Sequence, residues 1–428
     1  MGSLLGDADV WDDTPARPRP LRRGLAGLAA GLIVGLAVGW AVAPRPVPSA
    51  PVVPLPAARP PPQVDQGTAV VDQAILAGPM LATGLGKLQE VQPNGVSARI
   101  ISQGFAPVGV LPGRAGSPLV ALGGDAVVLI DRAGTVSQLT LSGGFRARGM
   151  AWAGSNLLAC GRRPLPPDQR QVVDAAGGDP TRHAPALLLG VKGGRPTEVE
   201  LACPVASSAD GNVVAGAGGA QVAYRSTTRG TAVLAGRAGG PLRTLLSRAQ
   251  LEAATGPGAS VGAIAVSADG ELVAVAAGAA GGRWAMLLVP VHPAAGRRPA
   301  SDGLPAGSRR IAVAPGYEAA WLGFTGKGTE LRLAMVAVDR RGGLGEQALA
   351  NRAGSGYVLG YDPANQVAAV ILAGPPLERA DGFAFSADGQ VFAVSARRGW
   401  TLLRTEQPSE RATLPIEGTL VAWPGTSP

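Results

Sequence analysis

The chain has 428 residues, 46% of them hydrophobic and only 4% aromatic, with 63 glycines, 38 prolines and a formal net charge of +8. That glycine and proline content stays just short of the share typical of low-complexity chains, so the composition describes a folded chain whose core side chains are small. The excess charge is almost wholly arginine, the lysines being Lys87, Lys192 and Lys327; it suits an anionic envelope polymer or lipid headgroups, while the lack of a basic run interleaved with aromatics argues against nucleic acid.

In chain order, residues 1–23 read as a short cytoplasmic tail in which Asp7, Asp9, Asp12 and Asp13 precede Arg17, Arg19, Arg22 and Arg23. Residues 24–43 carry no charge, and at about 1.5 Å per residue they span the roughly 30 Å of a bilayer core. Four arginines precede this run against Arg45 alone after it, so the expectation is a single-pass transmembrane helix in a bacterial cell membrane, N-terminus cytoplasmic and C-terminal domain extracytoplasmic. A cleaved signal peptide is the competing reading. Ala41-Val42-Ala43 fits a cleavage site and Arg22-Arg23 resembles a twin-arginine pair, but the apolar run exceeds a usual signal core. Gly27, Gly31, Gly35 and Gly39 would lie on one helix face, a helix-packing surface for a partner helix, although a glycine-rich chain also scatters glycines.

Residues 44–66 form a Pro-rich linker, and its Pro44–Pro62 part favours polyproline II and, at about 3.1 Å per residue, makes a stalk of up to roughly 60 Å. Residues 67–95 read as an N-terminal segment packing on the domain that follows, with Val70, Val71, Ala74 and Ile75 on a short helix before Pro79.

From residue 96 to 428 the chain repeats. Ser-Ala-Asp-Gly occurs at Ser208–Gly211, Ser267–Gly270 and Ser386–Gly389, each time between two short apolar runs. Asp210 and Gly211, Asp269 and Gly270, and Asp388 and Gly389 are therefore hairpin-turn residues, since Asp bonds its own backbone and Gly accepts a positive φ. The spacing is about 60 residues and then about twice that, and degenerate copies fall at Thr325-Gly326-Lys327-Gly328, at Trp152-Ala153-Gly154-Ser155 and at Arg114-Ala115-Gly116-Ser117. Six such units, each long enough for four short strands, describe an all-β chain built as a six-bladed β-propeller, with seven blades as the alternative. A β-sandwich with chance Asp-Gly turns is the competing architecture.

These residues resemble the TolB-type, WD40-like (PD40) propeller repeat, whose hairpin has Pro where this chain has Ala. The resemblance implies a propeller and leaves function open, because that repeat carries binding modules, secretion accessories and the non-catalytic half of some peptidases. In the blade reading Cys160 closes a second strand and Cys203 opens the next blade on the same face, so a disulfide is expected in an oxidising compartment; two buried thiols are the alternative. The chain ends in Leu420-Val421-Ala422-Trp423, which reads as the opening strand of a blade. It is expected to join a blade that also contains strands from residues 96–141 and so close the ring.

Chemistry-bearing patterns are sparse. Gly258-Ala259-Ser260-Val261-Gly262 matches G-x-S-x-G, with Asp269 and His292 following in hydrolase order, but Ser260 runs straight into a strand pair rather than a nucleophile elbow. His183 and His292 lack metal-ligand spacing, and Asp131, Asp339 and Asp362 read as strand-end or loop residues. Arg309-Arg310, Arg340-Arg341 and Arg397-Arg398 are the candidates for a basic face. With no cofactor or metal expected, the reading is a membrane-tethered extracytoplasmic propeller that binds a protein or envelope polymer as a non-enzymatic binding or scaffold module. The alternative is a hydrolase, lyase or glycosidase with its site in the central channel.

Overall fold

Runs such as Leu272-Val273-Ala274-Val275-Ala276-Ala277 are apolar at every position rather than at alternate ones, so the sheets they form must be covered on both faces. The structure, a computed structural model, describes most of residues 80–423. Outside the described residues lie 1–79, 93–96, 112–118, 168–180, 192–194, 219–231, 280–282, 293–302, 326–331, 340–355, 374–376, 406–410 and 424–428, with shorter gaps of one or two positions. Of the two compact units into which the chain divides, 1–64 and 65–428, the described residues all belong to the second.

Blade 1 contains β1 (Met80–Gly84), β2 (Lys87–Val91) and β3 (Ser97–Gln103). Blade 2 contains β4 (Gly109–Leu111), β5 (Leu119–Gly123), β6 (Ala126–Ile130) and β7 (Val136–Leu139). Blade 3 is β8 (Arg146–Ala153), β9 (Asn156–Pro164), β10 (Thr181–Gly190) and β11 (Thr197–Val199). Blade 4 is β12 (Ala202–Ser207), β13 (Val213–Gly218), β14 (Ala232–Arg237) and β15 (Leu242–Leu246). After helix α1 (Arg248–Thr255), blade 5 is β16 (Ser260–Val266), β17 (Leu272–Gly278), β18 (Trp284–Pro290) and β19 (Arg309–Ala312). Blade 6 is β20 (Tyr317–Thr325), β21 (Arg332–Asp339), β22 (Gly356–Asp362) and β23 (Val367–Ala373). Blade 7 is β24 (Ala380–Phe385), β25 (Val391–Ala396), β26 (Gly399–Arg404) and β27 (Arg411–Leu414). The last strand, β28 (Thr419–Ala422), pairs with β1 and completes blade 1.

Among the described residues these make seven four-stranded antiparallel sheets. Each innermost strand lies against the next, in the order β28, β4, β8, β12, β16, β20, β24 and back to β28, so the ring is closed. Alternation along each strand sends side chains to the two neighbouring blades in turn. In β17, Val273, Val275 and Ala277 join a core shared with blade 4, while Ala274 and Ala276 join one shared with blade 6. The buried apolar residues accordingly fall into seven clusters, one at each junction of adjacent blades.

The ring has seven blades, the alternative count, rather than six, because the Ser-Ala-Asp-Gly count sees only units whose first two strands are consecutive in sequence. Blade 1 takes its first strand from one end of the chain and the rest from the other, so no repeat of the turn marks it. The terminal strand does join a blade that contains a strand from 96–141, Ser97–Gln103, but that strand is the outermost one; the direct partner of the terminal strand is Met80–Gly84. Residues 80–91, within the segment expected to pack on the propeller, are two of its strands.

Helix α1 bridges blades 4 and 5. Ser247 and Gln250 form a reciprocal capping box, and Leu251 and Ala254 are buried in the blade 4/5 core.

Candidate functional site

The repeated tetrapeptide joins the innermost strand of a blade to the second. Ser267 is fully buried; its hydroxyl donates to Asp269 Oδ1 at 2.6 Å and accepts from Leu272 N at 2.9 Å, while Asp269 Oδ1 also accepts from Glu271 N at 3.0 Å. Ser208, Asp210 and Val213 repeat the arrangement, with Asn212 Nδ2 donating to Asp210 Oδ2 at 2.6 Å. In the third copy Ser386 Oγ accepts from Val391 N at 3.0 Å, while Asp388 lies outside the described residues. Gly211, Gly270 and Gly389 all take positive φ. These turns also touch one another: Gly154 N donates to Gly211 O and Ala209 N to Ala268 O, and Gly270 abuts Val213 of the preceding blade. The Ser and Asp of the motif are thus engaged in building the hairpins and joining them around one rim of the ring.

Cys160 of β9 and Cys203 of β12 form a disulfide with a Cα–Cα distance of 5.2 Å, tying blade 3 to blade 4. It lies in the core made by Leu158, Ala186, Leu201 and Val214, a junction without aromatic side chains. Among the described residues aromatic side chains gather elsewhere, notably Trp321 against Phe383, Phe385 and Phe392 between blades 6 and 7.

Ser260, Asp269 and His292 are not brought together. Ser260 begins β16 and donates to Gly278 O at 3.3 Å, whereas Asp269 lies in the turn beyond the other end of that strand. His292 follows β18 at the same end as Asp269, next to Val291, whose N–H donates to Glu271 O, and its Nδ1 is 3.3 Å from Arg243 Nη2. Seven residues of strand at about 3.3 Å each separate the hydroxyl from the other two groups.

A feature of the channel wall has no signal in the tetrapeptides. The innermost strands β8, β12, β16, β20 and β24 each carry a register shift near the end remote from the turn, and β28 carries one at Val421. The unpaired residue is Arg148 in β8, Gly262 in β16, Ala320 in β20 and Asp381 in β24; Arg148, Ala320 and Asp381 are exposed. Bulges re-aim side chains, and here they place the exposed charges Arg148 and Asp381 on the innermost ring of strands. Asp381 is used structurally. Its Oδ1 accepts from the buried Ser395 hydroxyl at 2.6 Å and its Oδ2 from Thr419 Oγ1 at 2.9 Å, while Leu420 N donates to Ser395 Oγ at 2.9 Å. Elsewhere in blade 3, Arg163 pairs with Glu198 at 2.5 Å and lies over the Phe145 ring.

Among the described residues no group of His, Cys, Asp and Glu gathers into a metal site. Asp131 and Asp362 organise turns, accepting from Thr135 N and from Ala364 N and Asn365 N; Asp339 ends β21. Burial holds the Tyr361 hydroxyl above its ordinary pKa despite the nearby Arg309, and hydrogen bonds from Arg248 and Gly258 N hold the Glu252 carboxyl below its own. Arg309 and Arg310 are exposed on the outer strand β19; Arg340-Arg341 and Arg397-Arg398 lie outside the described residues, as do Gly27, Gly31, Gly35 and Gly39. No helix among the described residues is long and apolar enough to cross a membrane, and residues 24–43 are not among them.

No protein-family model matches the sequence, and no curated protein matches it. Solved structures do. The tricorn protease is 14% identical over 78% of this chain and 33% of its own, with a TM-score of 0.50. The β-propeller domain of Myceliophteria thermophila Cps50 (Swd1) is 14% identical over 74% of this chain and 89% of its own, TM-score 0.44. A putative TolB from Agrobacterium tumefaciens is 12% identical over 64% and 85%, TM-score 0.39. At such identities the likeness is one of fold: the chain is a β-propeller, and its structural neighbours include both enzymes and non-enzymes.

Proposed function

We propose that this chain is a membrane-tethered extracytoplasmic propeller that acts as a non-enzymatic binding or scaffold module for a protein or an anionic envelope polymer. The observation that carries the reading is how the propeller uses its reactive side chains. Ser208, Ser267, Ser395, Asp210, Asp269 and Asp381 are engaged in turns and in the ring closure, and Ser260 stands a strand's length from Asp269 and His292. The tether is residues 24–43, retained, with the N-terminus in the cytoplasm and residues 44–66 as the stalk; the disulfide supports an oxidising compartment for the propeller. Pairing of the anchor through Gly27, Gly31, Gly35 and Gly39 belongs to the same proposal.

The test uses the full chain extracted in detergent. Retention on isolated envelope material, reversed by salt if the ligand is an anionic polymer and salt-resistant if it is a protein, is the expected result. A reporter fused after Pro428 that is active only in the cytoplasm would overturn the topology. Turnover of ester, peptide or glycoside substrates, lost in Ser260→Ala or Asp381→Asn, would establish the enzyme reading instead.

A further inference from the structure

The outermost strand of every blade presents an edge to solvent, and propellers blunt such edges with short strands and charge. Here β3 carries Arg99, β11 carries Glu198, β15 carries Arg243, β19 carries Arg309 and Arg310, β27 carries Arg411, and β7 holds Ser137 and Gln138. The seventh differs. β23, Val367-Ala368-Ala369-Val370-Ile371-Leu372-Ala373, has neither a charged nor a polar side chain, and among the described residues it is the edge of its sheet. Val367 to Val370 are all exposed. Val367, at 57%, and Val370, at 42%, are two of the four large exposed hydrophobics among the described residues. Val367 to Val370 hold regular register with β22, a shift leaves Ile371 without a partner there, and pairing resumes at Leu372 and Ala373.

From this edge we infer that β23 is a self-association site, pairing antiparallel with β23 of a second copy of this chain. The choice of a second copy rests on charge. Two copies at +8 each repel, and an approach through β3, β15, β19 or β27 sets arginine against arginine, whereas β23 meets its own image with no charge on either side. A two-fold axis normal to the paired sheets requires one residue to face itself. Centring it on Ala369 sets that small side chain against itself, Val367 against Ile371 and Ala368 against Val370, so the exposed part of the strand is covered by apolar cross-strand pairs. A pairing of this length is smaller than the roughly 1,200 Å² of a stable soluble dimer, so the association is a concentration-dependent equilibrium. It rests on the propeller alone and holds or fails independently of the anchor.

The test is intermolecular disulfide formation in the full chain. Both native cysteines are already bonded to each other, so Ala369→Cys introduces the reactive thiol. Oxidation is expected to convert Ala369→Cys to a covalent homodimer, while Val367→Cys, whose two copies would lie about 13 Å apart along the strand, and Ser137→Cys on β7 remain uncrosslinked. Ala369→Lys is expected to weaken the self-association measured by sedimentation in detergent at least tenfold. Equal crosslinking of the three cysteine variants, an Ala369→Cys adduct with a different protein, or association unchanged by Ala369→Lys overturns the proposal.

Discussion

Thr419 donates its hydroxyl to Asp381 at 2.9 Å, across the junction where the final strand of the chain, completing blade 1, meets blade 7. The other carboxylate oxygen takes the Ser395 hydroxyl, and Ser395 in turn accepts from Leu420 N, so three side chains hold the terminal strand against the blade that precedes it. Trp400 Nε1 adds a bond to Gly418 O at 2.7 Å.

Ser395 is the buried member of this clasp. Ser395→Ala removes the donor to Asp381 and leaves Leu420 N without its acceptor, and the expected loss is about 2 kcal/mol by urea unfolding. Thr419→Ala, at a more exposed position, is expected to cost less than about 1 kcal/mol. Equal effects would place the clasp's strength in the exposed pair instead.

Gly270 combines φ of +76° with a close approach, since a Cβ there would lie 2.8 Å from Val213 Cγ2 of blade 4. Gly239 has φ of +73° and open space around it. Gly239→Ala is therefore expected to cost about 1 kcal/mol for backbone conformation alone, and Gly270→Ala about 1–3 kcal/mol more for the inter-blade clash. Matching losses in thermal unfolding would mean that the turns do not brace neighbouring blades.

The propeller was legible in the sequence because its hairpin turns need a buried Ser, an Asp and a positive-φ Gly at fixed offsets, and three copies keep all of them. The register of Cys160 with Cys203 followed from that frame. Blade 1 was illegible as a unit, since Met80–Gly84 and Thr419–Ala422 are strands of one sheet separated by nearly the whole chain. The clasp was missed for a related reason: Asp381, Ser395 and Thr419 have no spacing that marks them, and only ring closure brings them together. The bulged innermost strands leave no composition signal either, their unpaired residues being as different as Arg148, Gly262, Ala320 and Asp381.

Tyr361 is buried in the junction between blades 5 and 6, and that burial raises its pKa above the ordinary tyrosine value of about 10. The folded state then prefers the neutral phenol more than the unfolded chain does. Its contribution is complete below about pH 10 and falls as the pH rises toward the folded pKa. Melting temperature is expected to drop more steeply above pH 10 in the parent chain than in Tyr361→Phe. Parallel curves would show that the phenol is not desolvated.

The Cys160–Cys203 bond closes a sequence separation of 43, worth roughly 4 kcal/mol in the chain-entropy model. It also crosses a junction built from Ala, Leu and Val. The double variant Cys160→Ala, Cys203→Ala is expected to lose about 2–4 kcal/mol, and reducing agent is expected to lower the unfolding midpoint of the parent but not of the variant. An unchanged midpoint in both would show that the blade 3/4 junction does not depend on the bond.

Removing residues 418–428 tests the closed ring itself. The deletion takes away β28, and with it Leu420 and Trp423, which are 2% and 5% exposed in the core between blades 7 and 1. It also removes the acceptor of Trp400 Nε1, strips Ser395 of Leu420 N and leaves β1 as an uncovered sheet edge. Burial of the two large side chains alone is worth about 1.5–3 kcal/mol each, and the lost hydrogen bonds add to that. The expected destabilisation, more than about 5 kcal/mol, is comparable to the whole stability of a typical domain. The truncated chain should therefore lose its cooperative melting transition or associate through the bared β1 edge. A synthetic peptide of residues 418–428 added in trans should restore part of the transition, because the slot it fills is formed by β1 and blade 7. A truncated protein that melts at the parent temperature would mean that the terminal strand does not close the ring.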